Sequence, residues 1–174
     1  MIEARRRVDI VLDPAFLHGI GDIGIDELRE RRKLTDDVET EFSYYRRLLH
    51  GRMDLLAFEQ RRRRGEETRS LIEALPEILG AGETVGGGGG RMTLPLAPHL
   101  PEIRRRAIDK VLESDFLARL SEVGDAELEE YLEALAEVEE EISEQRRAVQ
   151  RVFDTFQAEI GARYKTGLID PTVI

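Results

Sequence analysis

Residues 5–59 and 105–159 repeat one another at a constant offset of 100, with no insertion needed anywhere along the match. Arg5, Arg6, Asp9, Val11 and Leu12 stand against Arg105, Arg106, Asp109, Val111 and Leu112. Phe16, Leu17, Gly24, Glu27, Leu28 and Glu30 stand against Phe116, Leu117, Gly124, Glu127, Leu128 and Glu130. Val38, Glu39, Glu41, Ser43, Arg46, Arg47, Asp54 and Glu59 complete the match with Val138, Glu139, Glu141, Ser143, Arg146, Arg147, Asp154 and Glu159. Chance similarity between two Glu/Arg-rich helices would not hold a Phe-Leu pair, a glycine and a serine in register. The chain is read as an internal duplication, so whatever one half folds into, the other must fold into as well.

Each half carries one long amphipathic stretch. In the second, Leu128, Leu135, Ile142, Val149 and Phe156 recur every seven residues; in the first, Leu28, Phe42, Leu49 and Leu56 do the same, with Thr35 the exception. A seven-residue apolar period is the signature of helices that pair along a seam. The spacing predicts long helices over about 26–64 and 125–164, each roughly 55–60 Å long at 1.5 Å per residue. Asp26 and Asp125 are expected as N-caps. The predicted fold is all-α: two long helices in an antiparallel coiled coil with short flanking helices. Residues 1–64 form the first repeat and 102–165 the second, each a short segment followed by a long helix. Residues 65–101 are a flexible linker containing a short helix over Thr68–Leu79, which Pro76 ends or kinks, then a Gly run and an extended Pro-rich stretch. Residues 166–174 are a tail. Gly51, inside the first long helix, is either tolerated there or required by a close approach.

Composition narrows the function classes. With 174 residues, 41% hydrophobic and 36% charged, the chain is a charge-rich helical protein with enough core to fold alone. It has no cysteine, which removes disulfides, thiolate metal sites and thiol nucleophiles together. A net charge of −10 argues against direct nucleic-acid binding, and no secretory signal or membrane span is expected. A cytoplasmic location follows from these readings. His18, His50 and His99 are scattered, so no metal site is expected. The Gly run precedes no Gly-Lys-Ser/Thr, so it is not a phosphate loop. Without a nucleophile–base pattern, enzymatic activity is not expected.

The seam itself holds the exception that matters. Its second apolar set includes Leu132, Phe153 and Ile160, but Glu139 and Arg146 occupy the two positions between them, and Glu39 and Arg46 occupy the same places in the first half. Each pair belongs to a longer pattern, Glu-x3-Ser-x2-Arg-x3-(His/Gln)-x3-Asp. The first copy is Glu39, Ser43, Arg46, His50 and Asp54; the second is Glu139, Ser143, Arg146, Gln150 and Asp154. Steps of three and four put all five side chains on one helix face. Carboxylates accept, arginine donates, and Ser, His and Gln adapt. Guanine offers N–H donors to a carboxylate, and O6 and N7 to an arginine fork, while Arg47 and Arg147, beside the stripe, would neutralise phosphates. Two equivalent half-sites suit a symmetric guanine dinucleotide. Burying these ionic groups without a ligand would incur a desolvation cost, which predicts a loose seam in the unliganded protein.

The doubled motif resembles that of the RsiG anti-sigma factors, over both long helices. The resemblance implies that cyclic di-GMP, bound as an intercalated dimer, arms the protein to sequester a WhiG-type sigma factor from RNA polymerase. It also implies a monomer whose chain supplies both motifs, with a homodimer using the second motif as the alternative. His50 departs from the family pattern, which usually has Gln there, and so bears on whether the two half-sites are equal. Under this reading Arg46 and Arg146 contact guanine or phosphate, and Asp54 and Asp154 the guanine Watson–Crick edge. The exposed acids Glu129, Glu130, Glu133 and Glu137 would face a basic sigma surface. The competing readings are a ligand-independent coiled-coil adaptor and a cyclic di-GMP-binding regulator with a different partner. For the remaining features the plainer reading stands: Arg61–Arg64 as a solvated helix end, Tyr44 and Tyr45 as packing residues, and the Phe-Leu pairs as covers for the helix ends.

Overall fold

The computed structural model describes residues 6–81 and 115–167. The elements in order are α1 (Arg7–Val11), a 3-10 turn at Pro14–Phe16, α2 (Ile25–Arg63), α3 (Leu71–Ala81), a second 3-10 turn at Asp115–Leu117, and α4 (Asp125–Lys165). Every described element is helical, and the two long helices stand within one residue of the predicted bounds. The Gly run, the Pro-rich stretch, the first residues of the second repeat (102–114) and the tail from 168 onward lie outside the described residues.

The long helices begin two positions (α2) and one position (α4) earlier than caps at Asp26 and Asp125 would place them. The carbonyls of Gly24 and Gly124 accept from the amides of Leu28 and Leu128, each at 3.0 Å, and are the first intrahelical acceptors. The glycines are therefore the capping residues. Asp26 and Asp125 instead lie inside the first turn, where negative charge favours the helix dipole. Beyond α2, Gly65 adopts φ +76°, and the amide of Glu66 reaches back to the carbonyl of Arg61 at 2.9 Å. That is the left-handed turn with a six-to-one bond that closes many helices, and only glycine enters it without strain.

The heptad positions are the core. Leu28, Thr35, Phe42, Leu49 and Leu56 are fully buried, as are Leu128, Leu135, Val149 and Phe156, with Ile142 nearly so. Thr35, the polar exception, gives its hydroxyl proton to the Arg31 carbonyl at 2.9 Å, so no polar atom is stranded.

The chain divides into two compact units, Met1–Ser43 with Glu144–Ile174 and Tyr44–Ser143. In the first unit Arg29 bonds Tyr164 (2.7 Å), Arg32 bonds Gln157 (2.7 Å) and Arg146 bonds Glu39 (2.9 Å). In the second, Arg46 bonds Glu139 (3.0 Å), Arg52 bonds Tyr131 (3.3 Å) and Arg63 bonds Asp125 (2.9 Å). Numbers rise along α2 as they fall along α4, so within each unit the two helices pack antiparallel.

The duplication extends to a fastening that periodicity does not reveal. In the first unit Arg163 donates to the carbonyls of Ile20 (2.8 Å), Gly21 (3.0 Å) and Ile23 (2.6 Å), and to Glu159 (2.7 Å). In the second, Arg63 donates to the carbonyls of Leu120 (2.8 Å) and Val123 (2.8 Å), and to Glu59 (2.8 Å). Arg63 is thus not part of a solvated helix end. It satisfies part-buried turn carbonyls, and it neutralises the buried Glu59. Hydrogen bonds from Arg62 lower the Glu59 pKa; burial opposes them and Arg63 adds to them. The Phe-Leu pairs sit beside these turns: Phe16 meets Phe156 edge-on at 5.4 Å in the first unit, and Phe116 stacks on Tyr131 at 3.9 Å in the second.

α3 begins at Leu71, three residues later than expected, because Ser70 and Glu73 form a reciprocal cap. The Ser70 amide donates to the Glu73 carboxylate (2.7 Å) and the Glu73 amide to the Ser70 hydroxyl (3.3 Å). Pro76 lies inside this helix rather than ending it. Proline at 76 has no N–H to give the carbonyl of Ile72, a residue that is 83% exposed.

Gly51 has no positive φ, and a Cβ built on it meets nothing within 4 Å. Among the described residues no close approach requires glycine there. Gly51→Ala is expected to stabilise the fold by about 0.5–1 kcal/mol through helix propensity and a less flexible unfolded chain. A rise in the urea midpoint measures it; a fall would mean that the backbone at 51 is under a constraint.

Candidate functional site

The two ionic seam positions do not sit unpaired. In the second unit Oε1 of Glu139 accepts from Nε of Arg46 (3.0 Å), the Ser143 hydroxyl (2.7 Å) and Nε2 of His50 (2.9 Å). Arg46 Nε also lies 3.1 Å from the Ser143 hydroxyl oxygen. In the first unit Oε1 of Glu39 accepts from the Ser43 hydroxyl (2.8 Å) and from a terminal guanidinium nitrogen of Arg146 (2.9 Å). The Glu and Ser of one motif therefore meet the Arg of the other. Each cluster is therefore a carboxylate–hydroxyl pair facing an arginine from the antiparallel partner helix.

This exchange lowers the desolvation cost of the seam, because each half-buried carboxylate has its cation in place. Burial pushes the Glu139 carboxyl up, but hydrogen bonds from Ser143, His50 and Arg46 outweigh it and hold the group below the ordinary carboxylate range. A carboxyl depressed by folding contributes stability above its unfolded value, and that stability is lost as pH falls through the folded one. The arginines remain open to solvent: the side chains of Arg46 and Arg146 are 41% and 32% exposed. Arg146 keeps one further donor, a buried Nε–H with no acceptor among the described residues.

The clusters differ where the motifs differ. His50 joins Glu139, whereas Gln150 turns along its own helix and donates to Asp154 at 3.0 Å. Both motif aspartates are exposed, and so are Arg47 and Arg147. Asp54 has a setting that the motif alone does not suggest. It lines a cavity of about 210 Å³ between α2 and α3, with Ala57, Phe58, Arg61, Arg69, Ala74, Glu77 and Ile78. Arg61 lies over the Phe58 ring at 6.0 Å, and Arg69 bridges Glu67 and Glu77, each at 2.7 Å. The Ser70-x-x-Glu73 signature, a helix start, was the sequence signal that would have brought Arg69 beside Asp54.

Chemically, each cluster offers a guanidinium, a carboxylate and a hydroxyl within hydrogen-bond reach of one another, half-open to solvent. Among the described residues no helix is long and apolar enough to cross a membrane. A family model described as RsiG-like matches the chain over residues 14–79 and 114–172, and so takes in both long helices and both motifs. No curated protein matches it.

Proposed function

The chain belongs to the RsiG-like family, whose role is that of an anti-sigma factor, and from that premise we propose that it is armed by cyclic di-GMP to sequester a WhiG-type sigma factor. The observation that carries the ligand reading is the duplicated, self-neutralised cluster: Arg146 on Glu39 with Ser43, and Arg46 on Glu139 with Ser143. An adaptor that only needed a seam would place apolar residues there, since an ion pair set into a seam rarely stabilises more than the hydrophobic pair it displaces. Retaining the same ions twice is economical if a ligand exchanges into them. A phosphodiester or a guanine edge takes over the arginine's donors, and the displaced carboxylate accepts from guanine N1–H and N2–H.

In this reading Arg46 and Arg146 hold guanine or phosphate, and the unsatisfied Nε of Arg146 gains an acceptor. Asp54 and Asp154 meet the guanine Watson–Crick edge. Glu39, Ser43, Glu139, Ser143, His50 and Gln150 complete the set, and Arg47 and Arg147 offset phosphate charge. The ligand binds as a dimer of dinucleotides to a single chain that supplies both motifs, and the loaded protein works in the cytoplasm.

The test is capture of purified WhiG-type sigma factor by the immobilised chain, with and without cyclic di-GMP. The expected result is sigma retained only with the dinucleotide. Equal retention in both arms favours the ligand-independent adaptor. Calorimetric binding of the dinucleotide without sigma retention points to a different regulatory partner.

A further inference from the structure

The geometry points to His50 as a proton-linked element of the ligand site, so that loading with the dinucleotide is accompanied by proton uptake and strengthens as the solution becomes more acidic. This rests on the cyclic di-GMP reading and deepens it.

The argument starts from the Glu139 oxygen. An ionised carboxylate only accepts hydrogen bonds, so the 2.9 Å contact with Nε2 of His50 requires the proton to be on Nε2. In the neutral ring Nδ1 is then a bare lone pair, an acceptor. Protonation places an N–H donor on Nδ1 while the bond to Glu139 is kept. The His50 side chain is 45% exposed, so a ligand can reach the ring. A phosphodiester offers only acceptors, and so do O6 and N7 of guanine. The neutral ring turns a lone pair toward them, whereas the charged ring turns a donor and a positive charge. Gln150, at the matching place in the other motif, carries an amide donor at every pH and needs no proton to do so.

The surroundings set the direction of the effect. From α4 the titratable group facing His50 is Glu139, whose oxygen already takes Arg46 and Ser143. Along α2, Arg46 and Arg47 lie one turn before His50 and Asp54 one turn after, and Arg69, just before α3, and Glu77, within it, stand around the cavity that Asp54 lines. Without ligand, the negative charge of Glu139 is shared with Arg46. When an anionic ligand draws the Arg46 guanidinium away, Glu139 loses a cation and the cluster gains the ligand's negative charge. Both changes favour a second positive charge on the imidazole.

Cyclic di-GMP has no group of its own that titrates between about pH 6 and about pH 8, which frames the imidazole range. Its affinity for the wild-type chain, measured by calorimetry at those two pH values, is expected to rise by several-fold to roughly tenfold at the lower one. His50→Gln, the residue at the matching position of the other motif, is expected to flatten that dependence whatever its own affinity. Helicity by circular dichroism checks its fold. Calorimetry of the wild type near pH 7, in two buffers of different ionisation enthalpy, gives the proton count directly, with net uptake expected. Binding that is pH-independent in the wild type, equal pH dependence in both chains, or no net uptake overturns the proton linkage while leaving the ligand reading in place. No binding to the wild type at either pH overturns the ligand reading and this inference with it.

Discussion

Phe156→Ala is expected to remove about 3–5 kcal/mol of folding stability, a large share of the roughly 5–15 kcal/mol that holds a folded domain together. Phe156 is fully buried in the heptad set of α4. Its ring meets Phe16 edge-on at 5.4 Å, and Phe16 is itself held by Arg31, whose guanidinium lies 5.5 Å from the Phe16 ring centroid and donates to the Phe16 carbonyl at 2.7 Å. Truncation therefore forfeits the transfer energy of a whole ring, leaves a void against a neighbour that Arg31 keeps from collapsing inward, and loses an edge-to-face pair worth about 0.5–1.5 kcal/mol beyond its area. The measurement is urea unfolding followed by circular dichroism, with the midpoint displaced and the slope kept. Phe153, half-buried with Arg32 over its ring at 5.8 Å, is the internal comparison. Phe153→Ala should cost clearly less. If the two costs are equal, the heptad assignment of the core is wrong.

That assignment was legible because a seam position is a local property. A residue seven places from a buried leucine on a straight helix faces the same way, and five such positions in each helix leave little choice of face. Helix termini were nearly as legible, since Gly24, Gly65 and Gly124 stand where the apolar period starts or stops. Only the identity of the caps was misread, because aspartate one or two residues into a helix looks like a cap until the first carbonyl acceptor is located. Arg63 and Arg163 belong to another class. Four consecutive arginines at 61–64 look alike in sequence, and what singles out Arg63 is that the turn at Leu120–Val123 returns to it from some sixty residues away. No periodicity encodes that return. Comparing Arg63 with Arg163 at the repeat offset was the available signal, since solvated arginines have no reason to recur in step.

The motif divides along the same line. Its five positions and their shared helix face are local and were readable. Which carboxylate meets which arginine depends on the register of two antiparallel helices, and the offset of 100 carries no information about it. A repeat read as two parallel faces gives Glu39 its own Arg46; the fold gives Glu39 the Arg146 of the other copy. His50 sits between these cases. That it differs from Gln150 was plain, but that the difference lands on the Glu139 oxygen required the partner helix.

The exchange of arginines makes the second large effect specific. Arg46→Ala is expected to weaken cyclic di-GMP binding by at least about 30-fold, because removing one member of a hydrogen-bonded charge pair at an interface costs about 2–5 kcal/mol. The residue left behind aggravates the loss. Glu139 keeps only Ser143 and His50 and confronts an anionic ligand with an unbalanced carboxylate. Arg146→Ala is expected to be as damaging, since among the described residues Glu39 then keeps only the Ser43 hydroxyl, and the buried Nε donor is lost as well. The two substitutions also separate one joint ligand from two independent ones. If both clusters act on the same bound dinucleotides, either single variant loses affinity at all sites, and the double variant is scarcely worse, because the first substitution has already disabled the set. If the clusters work separately, each single variant keeps half the stoichiometry at the wild-type affinity. Calorimetric titration reads stoichiometry and affinity in one experiment, and wild-type affinity at full stoichiometry in both single variants would remove the arginines, and with them the duplicated motif, from any role in holding the ligand.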